Sequence, residues 1–297
     1  MSNIKNILGP MRLPFLILTP ACVILGLGTA VWSGADINPF YFVLALIGGL
    51  AAHISVDALN EYFDFKSGLD LKTERTPFSG GSGTLPANPG FVRQTLVTGI
   101  VSAAIICAVG LYFVSVWGLA LLPLGLAGVL LVVVYTPWIV RSSFLCLIAP
   151  GLGFGTFMVV GTHFVLTGDY AWTAVVASLA PFFLVSDLLL LNQFPDVDAD
   201  RAVGRKNYPV QLGRKISSLI YGMFLLLAFA SIVVGVVLDY LPGMSLLGLI
   251  MVVPAVVVFV GVYRYADDIK KLTPLLGLNV LINILTPVLV AVGLFVG

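Results

Sequence analysis

The sequence predicts an all-α integral membrane protein, and three observations carry that prediction. Of its 297 residues, 59% are hydrophobic and only 10% are charged, whereas an ordinary soluble domain is about a quarter charged. The apolar residues, which give a mean hydropathy of +1.08, fall in runs near the ~20 residues that a helix needs to span the hydrocarbon. Stretches such as "GVLLVVVY" and "MVVPAVVVFVGVY" are continuous and lack the alternation of a membrane barrel strand. The third observation is the placement of the basic residues, which emerges along the chain.

The first apolar run, about 12–33, opens behind Lys5 and Arg12. It is long enough to be a span rather than a cleavable signal segment. "SGADINP" leads to a second run, about 41–62, and a long polar connection follows, about 63–92, bearing Lys66, Lys72, Arg75 and, at its end, Arg93. Runs at about 93–113 and 117–136 are joined by "SVW"; Arg141 then precedes a run at about 143–166. "TGD" leads to about 171–193. The second long connection, about 194–215, holds Arg201, Arg205, Lys206, Arg214 and Lys215. Runs at about 216–238 and 244–263 are joined by "DYLPG". Arg264, Lys270 and Lys271 separate them from the last run, about 274–296. All 15 Lys and Arg therefore lie on alternate connections. The positive-inside rule predicts about nine spans, with the N-terminus cytoplasmic and the C-terminus outside. A missed or invented span would break the alternation. A single membrane domain over 1–297 is expected. Cys22, Cys107 and Cys146 lie in or beside spans without CxxC spacing, and read as packing residues.

Connections longer than 12–15 residues are uncommon unless they are functional, and the two long ones resemble each other. The second run ends in "NEYFDFKSGLD", Asn60 to Asp70, before "LKTERTPFSGGSGTLP"; the sixth ends in "NQFPDVDAD", Asn192 to Asp200, before "RAVGRK". Each has Asn-x-x-x-Asp, a further Asp, and an Arg five residues later, the pattern of an internal repeat. On a helix, residues four apart share a face. Asn192, Asp196 and Asp200 then form one acidic stripe, and Asp57, Asn60 and Asp64 another. Carboxylates stacked this closely require cations between them. The all-oxygen set suits Mg²⁺, which binds through one or two carboxylates plus substrate phosphates. The downstream Arg and Lys suit a diphosphate, and "SGGSG" (79–83) offers backbone amides to the same anion. Asp57 and Asp187 sit deeper in apolar sequence, where ionisable groups are usually functional. His53, four residues from Asp57, is expected to pair with it structurally.

These motifs resemble the two aspartate-rich motifs of the UbiA superfamily of intramembrane prenyltransferases. The resemblance implies nine transmembrane helices with two aspartate-rich cytoplasmic loops over a central cavity. Carried over residue by residue, it implies that Asp64, Asp70, Asp196 and Asp200 are the catalytic acids and hold Mg²⁺, two ions in all. Asn60 and Asn192 would bind metal or phosphate oxygen, and Arg75, Arg205 and Lys206 would clamp the diphosphate. "FDFKSGLD" and "GGSG" are similar to the menaquinone branch, which prenylates 1,4-dihydroxy-2-naphthoate. Two features depart from the family pattern: Asn60-Glu61 stands for the commoner Asn-Asp, and the Tyr-x-x-x-Lys of many members is represented only by Tyr135 and Arg141 of "YTPWIVR".

The implied partners are a polyprenyl diphosphate, an aromatic acceptor and the bilayer, with no nucleic acid and no obligatory protein partner. The implied location is the cytoplasmic membrane, with the site open to the cytoplasm. An allylic cation needs a dry, aromatic-lined pocket, for which Tyr62, Phe63, Tyr135 and Phe183 are available. Competing readings are the same chemistry on 4-hydroxybenzoate, geranylgeranylglyceryl phosphate or a tetrapyrrole, and a secondary transporter. A phosphatidyl-type transferase of the CDP-alcohol class lacks its Asp-x-x-Asp-Gly-x-x-Ala-Arg run here. A transporter would place its acids near the midplane rather than at helix ends.

Overall fold

The computed structural model of the chain describes Ser2–Gly297, and these residues are almost wholly helical, with no β-strand among them. A short α1 (Ser2–Leu8) precedes α2 (Leu18–Trp32). The first apolar run therefore begins its helix later than the sequence predicts, because 3₁₀ turns at Gly9–Met11 and Leu13–Phe15 intervene. Arg12 between them adopts a left-handed conformation, φ 46°, which a non-glycine residue keeps only when its surroundings enforce it.

Helix α3 (Pro39–Ser67) starts at Asn38, whose side chain accepts from Phe40 N–H at 2.9 Å, and Pro39 fits the first helical position. Its 29 residues make about 44 Å of helix. This exceeds the ~30 Å hydrocarbon core and carries the first acidic motif out of it. A short α4 (Thr84–Ala87) precedes α5 (Val92–Trp117) and α6 (Leu122–Val134).

Pro89–Val134 is one continuous 46-residue helical stretch by length and hydropathy, among eight such stretches long and apolar enough to cross a membrane. At 1.5 Å per residue it would run roughly 69 Å, more than twice the bilayer core. It breaks at Gly118, φ 76°, and forms two passes. Counted this way, the described residues form nine helical passes from eight apolar stretches.

The fifth pass is composite. Helix α7 (Ser143–Pro150) runs through a π-helical segment, Gly151–Phe157, into α8 (Met158–Thr167). Such segments inside helices frequently mark functional sites. Helix α9 (Trp172–Asn192) is the sixth pass. Short helices α10 (Val197–Ala202) and α11 (Tyr208–Leu212) lead to α12 (Arg214–Val237), α13 (Val252–Tyr265), which a 3₁₀ segment Gly243–Met251 extends outward, and α14 (Ile269–Val296).

Two halves differ in density. Helices α2, α9, α12 and α14 enclose the main apolar core, which includes Leu25, Leu184, Tyr221, Leu276 and Ala291. Small residues let α2 and α14 approach closely: a Cβ on Gly28 would lie 3.3 Å from the Ala291 backbone, the membrane pattern of small-residue packing. On the other side α3, α5 and α6 wall a large cavity, and no residue of α6 is buried. The molecule is solid on one flank and hollow on the other.

Candidate active site

The cavity holds about 380 Å³ and runs along α3, whose lining residues include Ala45, Gly49, His53, Asp57, Asn60 and Asp64. These recur at helical spacing, a single face of one helix. From Ala45 to Asp64 that face extends roughly 28 Å. The deep end is apolar, with Val109, Phe113, Leu121, Leu124 and Val165; the other end is closed by the two acidic motifs.

In the first motif, Asp57, Asn60 and Asp64 share one face as the spacing predicts. Asn60 is held on both sides: its Oδ1 accepts from Arg12 Nη2 at 3.3 Å, and its Nδ2 donates to Thr136 Oγ1 at 3.2 Å. Gly68, φ 77°, ends α3 in a Schellman turn. Leu69 N–H bonds to Asp64 O at 3.0 Å, and Gly68 N–H to Phe65 O at 3.1 Å. The turn reverses the chain and brings Asp70 back onto the cavity wall, buried, with Oδ2 free of any protein partner.

Glu61, where the family pattern has Asp, is fully buried and clasps the glycine loop. It accepts from Ser82 N–H at 2.9 Å and from the Ser82 hydroxyl, and Arg12 Nη2 lies 3.6 Å away. The loop is pressed so closely that a Cβ on Gly81, φ 69°, would sit 3.2 Å from Asp70 Oδ1 and 3.3 Å from Glu61 Oε2.

The second motif corrects the helical-stripe expectation. Asn192, Asp196 and Asp200 do not lie on one continuous helix. Pro195 disfavours helix at the residue before it, so α9 ends at Asn192 and the chain turns before α10. The three nevertheless line the same cavity. Asp198 is exposed and pairs with Arg201 at 3.2 Å. Asp200 is buried and bonded: Asn207 Nδ2 donates to its Oδ2 at 2.6 Å, and Arg205 Nη1 to its Oδ1 at 3.3 Å. The other arm of Arg205 pairs with Asp64 of the first motif. One guanidinium therefore joins the two motifs, through a pair 141 residues apart in sequence, Arg205 and Asp64.

Burial dominates the electrostatics. Asp70 is pushed up to about 8, first by burial, then by the charges of Asp64 and Glu61. Asp196 is pushed up to about 7 by burial and by Asp200, against the Gly80 amide and Ser79 hydroxyl that face it. Arg205 loses hydration, yet the carboxylates of Asp64 and Asp200 hold it above its usual value. Among the described residues, no three His, Cys, Asp or Glu side chains converge in a metal-ligating cluster. Asp70 Oδ2 and Asp196 Oδ1 are buried without a partner among the described residues. Such oxygens suit a cation that takes one or two carboxylates and completes its shell with phosphate and water.

Of the other residues singled out from sequence, Tyr135 lines the cavity. Arg75, Arg141 and Lys206 are exposed and do not line it. Arg75 Nε instead donates to Gly81 O at 3.4 Å, on the outside of the glycine loop. Of the aromatics, Tyr62, Phe63 and Phe183 lie off the cavity wall, and Phe78, Phe113, Phe154 and Phe157 lie on it. The π-helical segment presents Phe154 and Phe157. Arg12, which in the sequence marks only the cytoplasmic start of the first span, also lines the cavity. Its position at the head of the first span, two residues before Pro14, gave no cue to its left-handed turn into the site.

Comparison with known proteins places these features. A family model described as the UbiA prenyltransferase family matches residues 19–278. The 1,4-dihydroxy-2-naphthoate octaprenyltransferase of Bacillus subtilis is 28% identical over 179 residues, 59% of this chain and 55% of that protein. UbiA prenyltransferase domain-containing protein 1 of Xenopus tropicalis is 25% identical over 218 residues, 70% of this chain and 59% of that protein. The matches thus span little more than half the length of these relatives. Among solved structures, the apo UbiA homologue of Aeropyrum pernix superposes with a TM-score of 0.67 at 16% identity, covering 95% of this chain and 97% of that one. The UbiA homologue of Archaeoglobus fulgidus bound to GPP and Mg²⁺ gives 0.60 at 15% identity, covering 97% and 99%.

Proposed function

Because the chain belongs to the UbiA prenyltransferase family, matched over residues 19–278, and is a multi-pass membrane prenyltransferase, we propose that it transfers a polyprenyl group to 1,4-dihydroxy-2-naphthoate. The acceptor reading rests on the motif wording and on the naphthoate-prenylating relative. One observation supports the chemistry above the others. Arg205 ties Asp64 of one motif to Asp200 of the other at the polar end of a long apolar cavity. An amphiphile with an anionic head and an isoprenoid tail matches that gradient.

In this reading Asp64, Asp70, Asp196 and Asp200, with Asn60 and Asn192, hold Mg²⁺, the ion named with GPP in the Archaeoglobus structure. Bound there, Mg²⁺ neutralises the leaving diphosphate as a Lewis acid. Arg205 adds a fixed positive charge where negative charge develops, and such pre-aimed electrostatics are usually the largest catalytic contribution. Arg75 and Lys206 reach a bound diphosphate only from the rim. The bond from the allylic carbon to the diphosphate oxygen breaks, and its electron pair leaves with the diphosphate. Phe154, Phe157 and Tyr135 exclude water from the resulting cation and offer it π-faces. A ring carbon of the acceptor forms the new C–C bond, and the ring then loses a proton, or CO₂ where it carries a carboxylate.

The chain is read as one domain, with the acidic end of the cavity on the cytoplasmic face of the membrane. A donor-by-acceptor panel on purified protein tests the assignment: dihydroxynaphthoate, hydroxybenzoate and geranylgeranylglyceryl phosphate, each against several prenyl diphosphates. Dihydroxynaphthoate is expected to give the highest kcat/KM. A clear preference for either of the others would reassign the acceptor and leave the family chemistry intact.

A further inference from the structure

A smaller cavity of about 120 Å³ adjoins the main one where the start of α2 meets α3, α9 and α14. It shares Arg12, His53, Asp57 and Asn192 with the main cavity and adds Asn283 from α14. Four buried polar atoms on these residues have no partner among the described residues: Asp57 Oδ2, Asn192 Oδ1, Asn283 Oδ1 and Arg12 Nε. Three of the four are oxygens, so the chamber offers mainly acceptors. The orientation of Asn283, which is 1% exposed, follows from its own bonding. Its Nδ2 donates to Asn279 O at 2.9 Å, which leaves Oδ1 as the free end. His53 Nε2 stands 3.6 Å from Asp57 Oδ2, too far to donate well, while its Nδ1 pairs with Thr19 Oγ1 at 2.9 Å. The guanidinium of Arg12 is shared with Asn60 and Glu61.

The remaining wall is apolar and partly aromatic, including Phe15, Leu18, Phe154, Val185, Leu188 and Val280. Phe154 stands edge-on to His53, centroids 4.5 Å apart. Buried acceptors left unpaired are unfavourable, so a ligand here is selected for O–H donors on a flat apolar body. The chamber is of the order of an engineered cavity of about 150 Å³ that takes a benzene ring. We propose that this chamber is the acceptor subsite, and that it recognises a hydroxylated aromatic ring through hydroxyl groups donated to Asp57 and Asn283. The proposal rests on reading the chain as prenylating an aromatic acceptor. It adds that the hydroxyls, rather than a carboxylate, hold the ring; a ring carboxylate finds one free donor in the chamber, Arg12 Nε.

The test uses the purified full chain and two probes, 1,4-dihydroxynaphthalene and its monomethyl ether. Equilibrium binding of each is measured without prenyl diphosphate, and KM for both substrates is measured in turnover. The variants are Asn283→Leu, which removes an acceptor, and Val280→Phe, which fills the chamber and spares its polar atoms. Both should weaken diol binding by about tenfold or more, the scale of one lost buried hydrogen bond, and leave the KM for prenyl diphosphate within about twofold. Asn283→Leu should also narrow the preference for diol over ether. If Asn283→Leu does not fold, Val280→Phe carries the test. Diol binding that is insensitive to the variants, or equal losses for both substrates, overturns the chamber. If the diol binds and responds to the variants while no aromatic acceptor is prenylated, the hydroxyl-binding chamber stands and the reaction assignment falls. If an aromatic acceptor is prenylated while diol binding ignores both variants, the reverse holds.

Discussion

The two acidic loops carry the same residues in the same order, with equal Asn-to-Asp and Asp-to-Arg spacings, and the chain folds them differently. In the first, the acids continue a long helix, and a Schellman turn throws Asp70 back over the cavity; a glycine loop, clasped by Glu61, lies across the top. In the second, Pro195 breaks the helix, and a compact turn of α10 and α11 holds Asp200 between Asn207 and Arg205. The arginines make the contrast sharpest. Each follows its last Asp by five residues, yet Arg75 lies outside on its own loop while Arg205 reaches across to Asp64. Equal spacing in sequence fixes equal position only where both copies share one secondary structure, and here they do not.

The comparison can be broken most decisively by removing what both loops are read as sharing. In excess EDTA turnover should vanish, and added Mg²⁺ or Mn²⁺ should restore it. Full activity in chelator would leave the paired acids without a common cation. Next in size is the arginine pair. Arg205→Ala removes a positioned charge and leaves Asp64 facing Asp200, so kcat/KM should fall by about 10³, whereas Arg75→Ala should lose about tenfold or less. Equal losses would mean that the two loops are equivalent in the bound state. Within the second loop alone, Asp196→Asn should lower kcat by about 10²–10³. Asp198→Asn, exposed and paired only with Arg201, should stay within a few fold, with both proteins inserted to equal levels.

The smallest effect is a pH dependence. With burial raising Asp70 to about 8 and Asp196 to about 7, Asp70 is mostly and Asp196 about half protonated at neutrality in the absence of a cation, and a cation binds the ionised form. Metal uptake should release protons, and apparent Mg²⁺ affinity should tighten between pH 6 and 8, by up to about tenfold per unit for each proton displaced. A pH-independent affinity would show that neither carboxyl is a ligand.

The fold was legible in the sequence because a bilayer leaves few options: apolar run length and Lys/Arg alternation reflect its thickness and its asymmetry. The alternation even separated α5 from α6, which form one unbroken apolar helical stretch apart from Gly118. Within the site, legibility followed helical order. Asp57, Asn60 and Asp64 share one cavity-facing side, as their spacing predicts, because α3 runs straight through them. The four-residue spacing of Asp196 and Asp200 survives although α9 and α10 are not one helix, because the two lie one turn apart, with Asp200 N–H bonded to Asp196 O at 2.8 Å; Asp198, two residues from each, points away and is exposed. What escaped depends on backbone that periodicity does not encode. The left-handed turn at Arg12, the reversal at Gly68 and the π-helical Gly151–Phe157 segment bring Arg12, Asp70, Phe154 and Phe157 to the cavity, whereas Tyr62 and Phe63 stay outside it because they sit on α3 away from the face of Asp57, Asn60 and Asp64.

One of the walls has a mechanical consequence. Gly125, Gly128 and Val132 of α6 face the cavity, and Leu126, Leu130 and Val133 face outward, exposed. A single helix thus stands between a void and the lipid, and the lateral pressure of the bilayer bears on it from one side only. Whatever fills the lumen must push back, because an empty side gives the helix no dispersion contacts. An isoprenoid tail is then a strut as well as a substrate: it braces the hollow flank against compression, and the protein should be stiffest and hardest to melt when loaded.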